Sequence, residues 1–485
     1  MIIPNTLNPQ EVFKYFYEIS EIPRGSGNMT AIADYCMNFA KKHSLKAVRD
    51  KANNVVIYKN GTCGLENAEP VILQGHLDMV CQKTEDCDID FLRDGLKLYT
   101  DGDFLKAEGT TLGADNGIAV AMILSILESN DIAHPPIEAV FTTDEEIGLI
   151  GAGALDKSLL SAKKMINLDS EDMDIITVSC AGGSDFEATV PFKMVSFSGT
   201  KVNISIGGLK GGHSGVMINC GRVNADILAT RILNQLNILS MLDSENSFEL
   251  ISINGGDKGN AIPLKCEIEL CAKNPEKLKN DALSYIEIIK NEISHREPQF
   301  EAAVTIGETG EFQTIADIKD DIIRTILCIP NGVIDMSAEI EGLVETSLNL
   351  GILKTEEDKI IIASALRSNK KSALKFLEDK MIAYFGNMPC EIKTGGHYPP
   401  WEFNPDSKLV ELYKEHFQKE FGSEPVVEAI HAGLECGIFA DAIDGFDCIS
   451  VGPKAYDIHT VNERLSISST EALYKLLIKI LANCK

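Results

Sequence analysis

The sequence predicts an α/β fold, with a mixed central sheet flanked by helices, interrupted by a large α+β domain of two related halves. Three observations predict it. Short apolar runs rich in β-branched residues, such as Val71–Leu73 and Ile137–Phe141, alternate with helical patterns early in the chain, the mark of layered strands and helices. The same texture returns after Pro399-Pro400-Trp401. Between them a strand–helix–strand–strand–helix-like order occurs twice, without clear sequence identity between the two copies. The expected bounds are 1–185 and 397–485 for the α/β domain and 186–396 for the insertion.

Length and composition agree. A chain of 485 residues is too long for one ordinary core. Its 44% hydrophobic and 24% charged residues are those of a soluble globular protein. A net charge of -27 argues against binding nucleic acid or an anionic membrane through a general basic surface. The start, Met1-Ile-Ile-Pro-Asn, lacks the basic and apolar regions of a signal peptide. No apolar run approaches the roughly 20 residues that span a bilayer. The 13 cysteines are scattered, with no CxxC knuckle, which reads as reduced thiols in a cytoplasmic protein. A metal would therefore use imidazole and carboxylate ligands.

Taken in order, residues 9–42 read as two helices broken at Pro23–Asn28. Strands follow at Asn53–Lys59 and Pro70–Gly75. The second leads into Gln74-Gly-His76-Leu-Asp78, where the i, i+2 spacing turns both side chains to one side of an extended chain. Thr84–Asp103 reads as an acidic surface loop. Its Asp86, Asp88 and Asp90 lack the Gly and Glu of a calcium loop. Gly109–Asn116 is a Gly-rich turn into a helix from Ile118 to Leu127, with Asp115 at or near the N-cap. The strand Pro136–Thr143 delivers Asp144-Glu145-Glu146. Three adjacent carboxylates repel unless cations neutralise them. Met165–Asp169 repeats the apolar strand ending in acid.

In the insertion, strands are expected at Lys201–Gly208, Glu249–Asn254, Leu264–Ala272, Val333–Ser337, Thr346–Ile352, Ile360–Arg367 and Cys390–Lys393. Helices are expected at Val223–Leu239, Pro275–His295, Ile315–Cys328 and Ser372–Phe385. The closing segment reads as helices Lys408–Phe421, Leu434–Ala442 and Thr470–Ala482, with strands Val426–Ala429 and Cys448–Val451.

Strand ends thus collect His76, Asp78, Asp115, Glu145, Glu146 and Asp169, with His459 in a later loop. Polar groups at carboxyl ends of strands mark the ligand crevice of an open α/β sheet. Imidazole and carboxylate without thiolate suit Zn²⁺, Mn²⁺ or Co²⁺. The number of donors fits two ions, and two ions can activate a water and polarise a carbonyl. One of Glu145 and Glu146 would accept the proton of that water and the other would be a ligand. This is the chemistry of amide or ester hydrolysis.

Gln74-Gly-His-Leu-Asp-Met-Val, Leu112-Gly-Ala-Asp-Asn-Gly, Thr143-Asp-Glu-Glu-Ile-Gly, Asn167-Leu-Asp-Ser-Glu and Ile458-His-Thr resemble the metal motifs of the di-zinc aminoacylase and carboxypeptidase-type metallopeptidases. Lys210-Gly-Gly-His-Ser-Gly, Gly256-Asp-Lys-Gly-Asn-Ala-Ile-Pro, Glu341–Leu350 and His431-Ala-Gly-Leu-Glu-Cys-Gly are similar to bacterial aminoacyl-histidine dipeptidases, which also cleave β-alanyl-histidine (carnosine). The resemblance covers nearly the whole chain. It implies two divalent ions, Zn²⁺ first, with Asp115 bridging, His76 and Asp169 on one ion, and Glu146 and His459 on the other. It also implies Glu145 as general base, Asp78 orienting His76, and His213 stabilising an oxyanion from a lid domain. Asn260, Arg367 and Glu435 are expected substrate contacts, Arg367 through a dipeptide carboxylate. A homodimer is a further expectation. The sequence departs from the family at Val461-Asn462, where Pro-Asp is expected, and at a Pro in His397–Trp401. A deacylase or aminopeptidase on the same scaffold, or a non-catalytic binding protein, are the alternatives. His43, His134, His295 and His416 match no motif and are expected at the surface.

Overall fold

A computed structural model describes residues 7–484. The chain divides into two compact units. One runs to Cys180 and resumes as Trp401–Ala429 and from Leu434 onward, and the other comprises Ala181–Pro400 with Ile430–Gly433. The expected boundaries near 185 and 397 fall inside the strands Gly182–Pro191 and Glu391–Tyr398, which pair with each other in the second unit. The junction therefore lies at Cys180 and Trp401, which are joined by a bridge within the first unit.

The first unit is built on an eight-stranded sheet ordered Lys46–Arg49, Val55–Lys59, Ile137–Thr142, Val71–His76, Lys164–Asn167, Asp447–Ser450, Ile175–Cys180 and Val426–Ile430. The four strands from Ile137–Thr142 to Asp447–Ser450 are parallel, and antiparallel pairs flank them. The middle strands are continuous apolar runs because both faces are covered. Val71, Ile72 and Leu73 have no exposed surface. The helix Ala114–Glu128 is apolar all round, buried from Asn116 to Leu127, and packs on Gln10–Ser20 and on Val71–His76, as such a helix must. Gly75 permits that approach, since a Cβ there would meet Asn116 Oδ1 at 2.5 Å and the Ala119 methyl at 2.9 Å.

The second unit carries a nine-stranded antiparallel sheet. One half is strand Val195–Gly207, helix Ala225–Leu242, strands Phe248–Gly255 and Cys266–Ala272, helix Pro275–Ile293 and strand Glu301–Thr314. The other is strand Gly182–Pro191, helix Lys319–Cys328, strands Val344–Thr355 and Lys359–Ser368, helix Lys371–Phe385 and strand Glu391–Tyr398, with Gly332–Met336 added beside Val344–Thr355. Both have the βαββαβ order and the same spatial order of strands, fourth-first-third-second. They meet edge to edge at Asn254↔Lys354 and Gly255↔Leu353. The two halves are interleaved in sequence, since the first strand of one precedes the whole of the other.

Several strands depart from expectation, among them Lys46–Arg49, Phe104–Ala107 and Gly182–Pro191, for which no strand was expected. Leu98–Asp101 lies within the stretch expected to be a loop. Ile175–Cys180 and Glu301–Thr314 have no counterpart in the sequence pattern. The helix expected from Ile315 begins at Lys319, after Ile315 and Ile318 have packed into the core. His134 is fully buried, and His43 packs its ring 4.4 Å from that of Phe39, so neither is the surface residue expected. Among the described residues no helix is long and apolar enough to cross a membrane, and all 13 cysteines are free.

Candidate metal centre and active site

Three parallel strands end side by side in the first unit. His76 is the last residue of Val71–His76, Asp144-Glu145-Glu146 follow Ile137–Thr142, and Asp169 follows Lys164–Asn167. Asp115 enters at the start of the buried helix, where it and Asn116 keep non-helical dihedrals. His459 comes from the loop between Ala455–Tyr456 and Arg464–Ser466, with φ +61°.

Asp115 sits at the centre. Its Oδ1 lies 3.0 Å from His76 Nε2 and its Oδ2 3.1 Å from His459 Nε2. His76 Nε2 is also 3.5 Å from Asp169 Oδ1, and His459 Nε2 is 3.0 Å from Glu146 Oε1. One carboxylate therefore joins two imidazole–carboxylate pairs. Donor atoms of His76, Asp115 and Glu146 fall within 4.8 Å of one another. His76 is 1% exposed, whereas His459 is 45% exposed, so the second imidazole faces solvent.

Asp78 organises the first pair. Its Oδ1 is 3.3 Å from His76 Nδ1, which turns Nε2 towards Asp115. Asp78 also accepts from Ser26 Oγ at 2.8 Å and from the backbone N–H groups of Glu145 and Glu146 at 3.1 and 3.2 Å. One buried carboxylate thus sets both the imidazole and the two glutamates. Burial would raise its carboxyl, but His76, Ser26 and the Glu145 amide hold it below the usual range.

The electrostatics are those of a site with too few positive charges. Burial, with repulsion from Asp115 and Glu146, pushes Asp169 up to about 6. Glu145 is raised well above the carboxylate range by burial, with Asp169, Glu435 and Glu146 adding to it. Asp115 is held low despite burial because His459 and His76 both donate to it. The carboxylates of Asp115 and Glu146 raise His459 to about 10. Protons on the imidazoles stand where cations belong. The donors, two imidazoles and three carboxylates without thiolate, suit Zn²⁺-class ions, so the residues fit the ions that the motifs imply.

Asp115 is not the N-cap of its helix. Gly113 takes that place with φ +64°, and no side chain of the helix caps it. The free N–H groups go instead to Glu463, a residue that the sequence reading missed. Asn116 was also missed. Its Oδ1 accepts from the His76 N–H at 3.2 Å and its Nδ2 donates to Leu168 O at 2.8 Å, which ties two strand ends together. The side chain of Arg24, 2% exposed, donates to Leu77 O, Asp78 O and Gly113 O.

The expectation that Glu435 meets substrate is not matched by its placement. Its carboxylate has no exposed surface, and Oε2 accepts from Gln74 Nε2 at 2.5 Å and Thr142 Oγ1 at 2.6 Å. It braces neighbouring parallel strands from within, and burial pushes it up to about 7.

The second unit gathers its own cluster. His213 pairs in register with Ala261 on a two-residue strand, and the Ser214 N–H donates to Asn260 O at 2.9 Å. Asn260 itself is exposed. His213 Nδ1 accepts from the N–H groups of Gly215 and Val216 at 3.2 and 3.4 Å, which leaves Nε2 to carry the proton. Burial, with the Arg367 charge nearby, lowers its pKa. Arg367 is 8% exposed, donates to Tyr398 Oη at 2.5 Å, and its Nε has no protein partner among the described residues. His431 is pushed down to about 3 by burial and Arg367, and it bonds Ser347 and Asn369. Two imidazoles whose pKa is lowered thus lie near the Arg367 guanidinium, which also acts on the Asp185 carboxylate.

Imidazole and carboxylate donors at the carboxyl ends of a parallel sheet, bridged by one Asp and flanked by a spare glutamate, define a metal-dependent hydrolase. Residues 72–483 match the model of peptidase family M20/M25/M40, and the chain belongs to that family. It is 35% identical over 479 residues to the cytosol non-specific dipeptidase of Escherichia coli K12, covering 98% of each chain. It is similar to the crystal structure of aminoacylhistidine dipeptidase from Vibrio alginolyticus, with 35% identity and a TM-score of 0.90 over 99% of this chain and 97% of that one. A Staphylococcus aureus tripeptidase shares the fold at 17% identity and a TM-score of 0.60, covering 99% of each chain. The chain is thus a peptidase, with the fold of its family.

Proposed function

We propose that the chain is a metal-dependent dipeptidase that hydrolyses dipeptides with a free N-terminus, Xaa-His and β-alanyl-histidine among them. The observation that carries this reading is the bridging carboxylate of Asp115, with Oδ1 3.0 Å from His76 Nε2 and Oδ2 3.1 Å from His459 Nε2. Two divalent ions, Zn²⁺ first and Mn²⁺ or Co²⁺ as alternatives, would be held by His76 and Asp169 on one side and Glu146 and His459 on the other. Such ions supply an acidified water and a polarised carbonyl.

The protein's own part is proton handling and orientation. Glu145, set by its N–H bond to Asp78, takes the proton of the attacking water and returns it to the leaving amine. Its burial favours the first half of that exchange, since a carboxyl pushed upward is a stronger base towards the water's proton. His213, with Nδ1 occupied by backbone amides, offers Nε2–H to a developing oxyanion. Arg367, with Nε unpaired among the described residues, pairs with the dipeptide carboxylate, and Asn260 lies beside His213 as a further polar contact. The names of the similar dipeptidases support this reading, and the word cytosol in one of them supports a cytoplasmic location. A homodimer is proposed on the resemblance alone.

A substrate panel tests it. Alanyl-histidine, β-alanyl-histidine, a tripeptide and an N-acetyl amino acid would be compared by kcat/KM. The reading expects the free dipeptides to lead. A preference for the acetylated substrate would make the chain a deacylase, and a preference for the tripeptide an aminopeptidase.

A further inference from the structure

We propose that Glu463 is a positioning residue that clasps the Asp115 loop and thereby fixes the ion site shared by Asp115 and His459. The inference rests on the two-ion reading above. Glu463 is 3% exposed. Its Oε2 accepts from the N–H groups of Leu112 at 2.7 Å and Gly113 at 3.0 Å, and its Oε1 from those of Ala114 at 2.8 Å and Asp115 at 3.3 Å. Four successive amides converge on one carboxylate, and the last of them belongs to Asp115.

The same side chain stands four residues after His459. Its own N–H donates to Thr460 O at 3.2 Å, closing a turn directly after the imidazole. One residue thus joins the His459 loop to the Asp115 loop, which are far apart in sequence. Arg24 holds the other side of the Asp115 loop, donating to Gly113 O at 2.5 Å, and reaches Leu77 O and Asp78 O at 3.0 Å each. A Cβ on Gly113 would meet Arg24 Nη2 at 2.5 Å, so the loop fills the space between the two charged groups. Asp115 also reaches His76 through Oδ1, but His76 has further holds in Asp78 and Asn116, whereas Glu463 stands in the His459 loop itself. The clasp therefore acts on the His459 side of the site more than on the His76 side.

Glu463→Gln keeps the shape but replaces one acceptor oxygen with an NH₂ group, which faces N–H donors and accepts nothing. The test is zinc binding to the full-length metal-free protein by calorimetry, alongside kinetics and the melting temperature of the metal-free protein. Wild type should take two ions. In Glu463→Gln one ion should weaken by about 10–100-fold, the range seen when outer groups that orient ligands are removed, and the other should keep its affinity. Turnover should fall with KM nearly unchanged, and excess metal should restore part of it. Glu463→Asp keeps the charge but shortens the reach, and should show the same selective weakening to a lesser degree. If Glu463→Gln does not fold, the Asp variant decides. Equal affinities in variant and wild type would overturn the clasp, as would equal weakening of both ions with a lowered melting temperature. Fewer than two ions on wild type would sink the two-ion reading instead, and this inference with it.

Discussion

Glu145 and Glu146 are adjacent and carry the same charge, yet their surroundings separate them. Glu146 Oε1 contacts His459, while Glu145 lies among carboxylates and is pushed upward by burial. The proposed roles, ligand for Glu146 and proton carrier for Glu145, rest on that difference. Glu145→Gln should keep both ions and the melting temperature while turnover drops by about 10²–10⁴-fold, the usual contribution of a positioned general base. Metal content by mass spectrometry and kcat measure the two sides of that statement. Loss of an ion would make Glu145 a ligand and reject the assignment. At this scale His76, Asp78, Asp169 and the glutamates are legible in the sequence because each stands at the end of an apolar strand. Glu463, Arg24 and Asn116 are not. They act through backbone N–H and C=O groups, which any sequence has, and the amides that Glu463 holds lie some 350 positions away. Asp115 stands near the N-cap as expected, in the first turn after Gly113, but the capping itself is done by the remote carboxylate of Glu463.

At the scale of elements, strands buried on both faces are easy to read and polar edge strands are not. Glu301–Thr314 is the edge of its sheet, and among its residues Val304 and Thr314 alone are buried. The alternation is confined to Ala302, Val304 and Ile306, too short a run to read as a strand of this length. Helix starts are blurred for a related reason, because Ile315 and Ile318 pack into the core before the helical turns begin. One helix carries a testable anomaly. Asp226, in the first turn of Ala225–Leu242, has no exposed surface, and among the described residues the Cys266 thiol is the one group that acts on it as a side-chain donor; burial pushes it up to about 7. The folded chain then keeps a proton that the unfolded chain releases near pH 4. Its contribution to stability is full below about pH 4, declines as pH rises, and is lost above about pH 7. The difference in melting temperature between Asp226→Asn and wild type should therefore grow in favour of the variant from pH 5 to pH 8. Parallel curves over that range would show that Asp226 is ionised throughout or paired with a group that compensates it.

For the whole molecule, the sequence reading recovers an α/β body with an inserted α+β unit because the texture of the chain changes twice. It misplaces the joints by a few residues because Ala181 alone separates the strands Ile175–Cys180 and Gly182–Pro191, with no linker composition to mark the junction. It also sees two halves without seeing that one is threaded through the other. Strand order is a three-dimensional fact, and Gly182–Pro191 pairs with Lys359–Ser368 across more than 150 residues of chain. The chemistry, in contrast, is concentrated in the first unit, where segments from four parts of the sequence converge on Asp115. Everything in that convergence points to bound cations. The decisive measurement is hydrolysis of alanyl-histidine by the full-length protein after exhaustive chelation, with zinc, manganese or cobalt then added back in known ratios. The account predicts that activity vanishes with the chelator and returns to its maximum at two ions per chain. Undiminished activity in the chelated protein, with no residual metal, would contradict it.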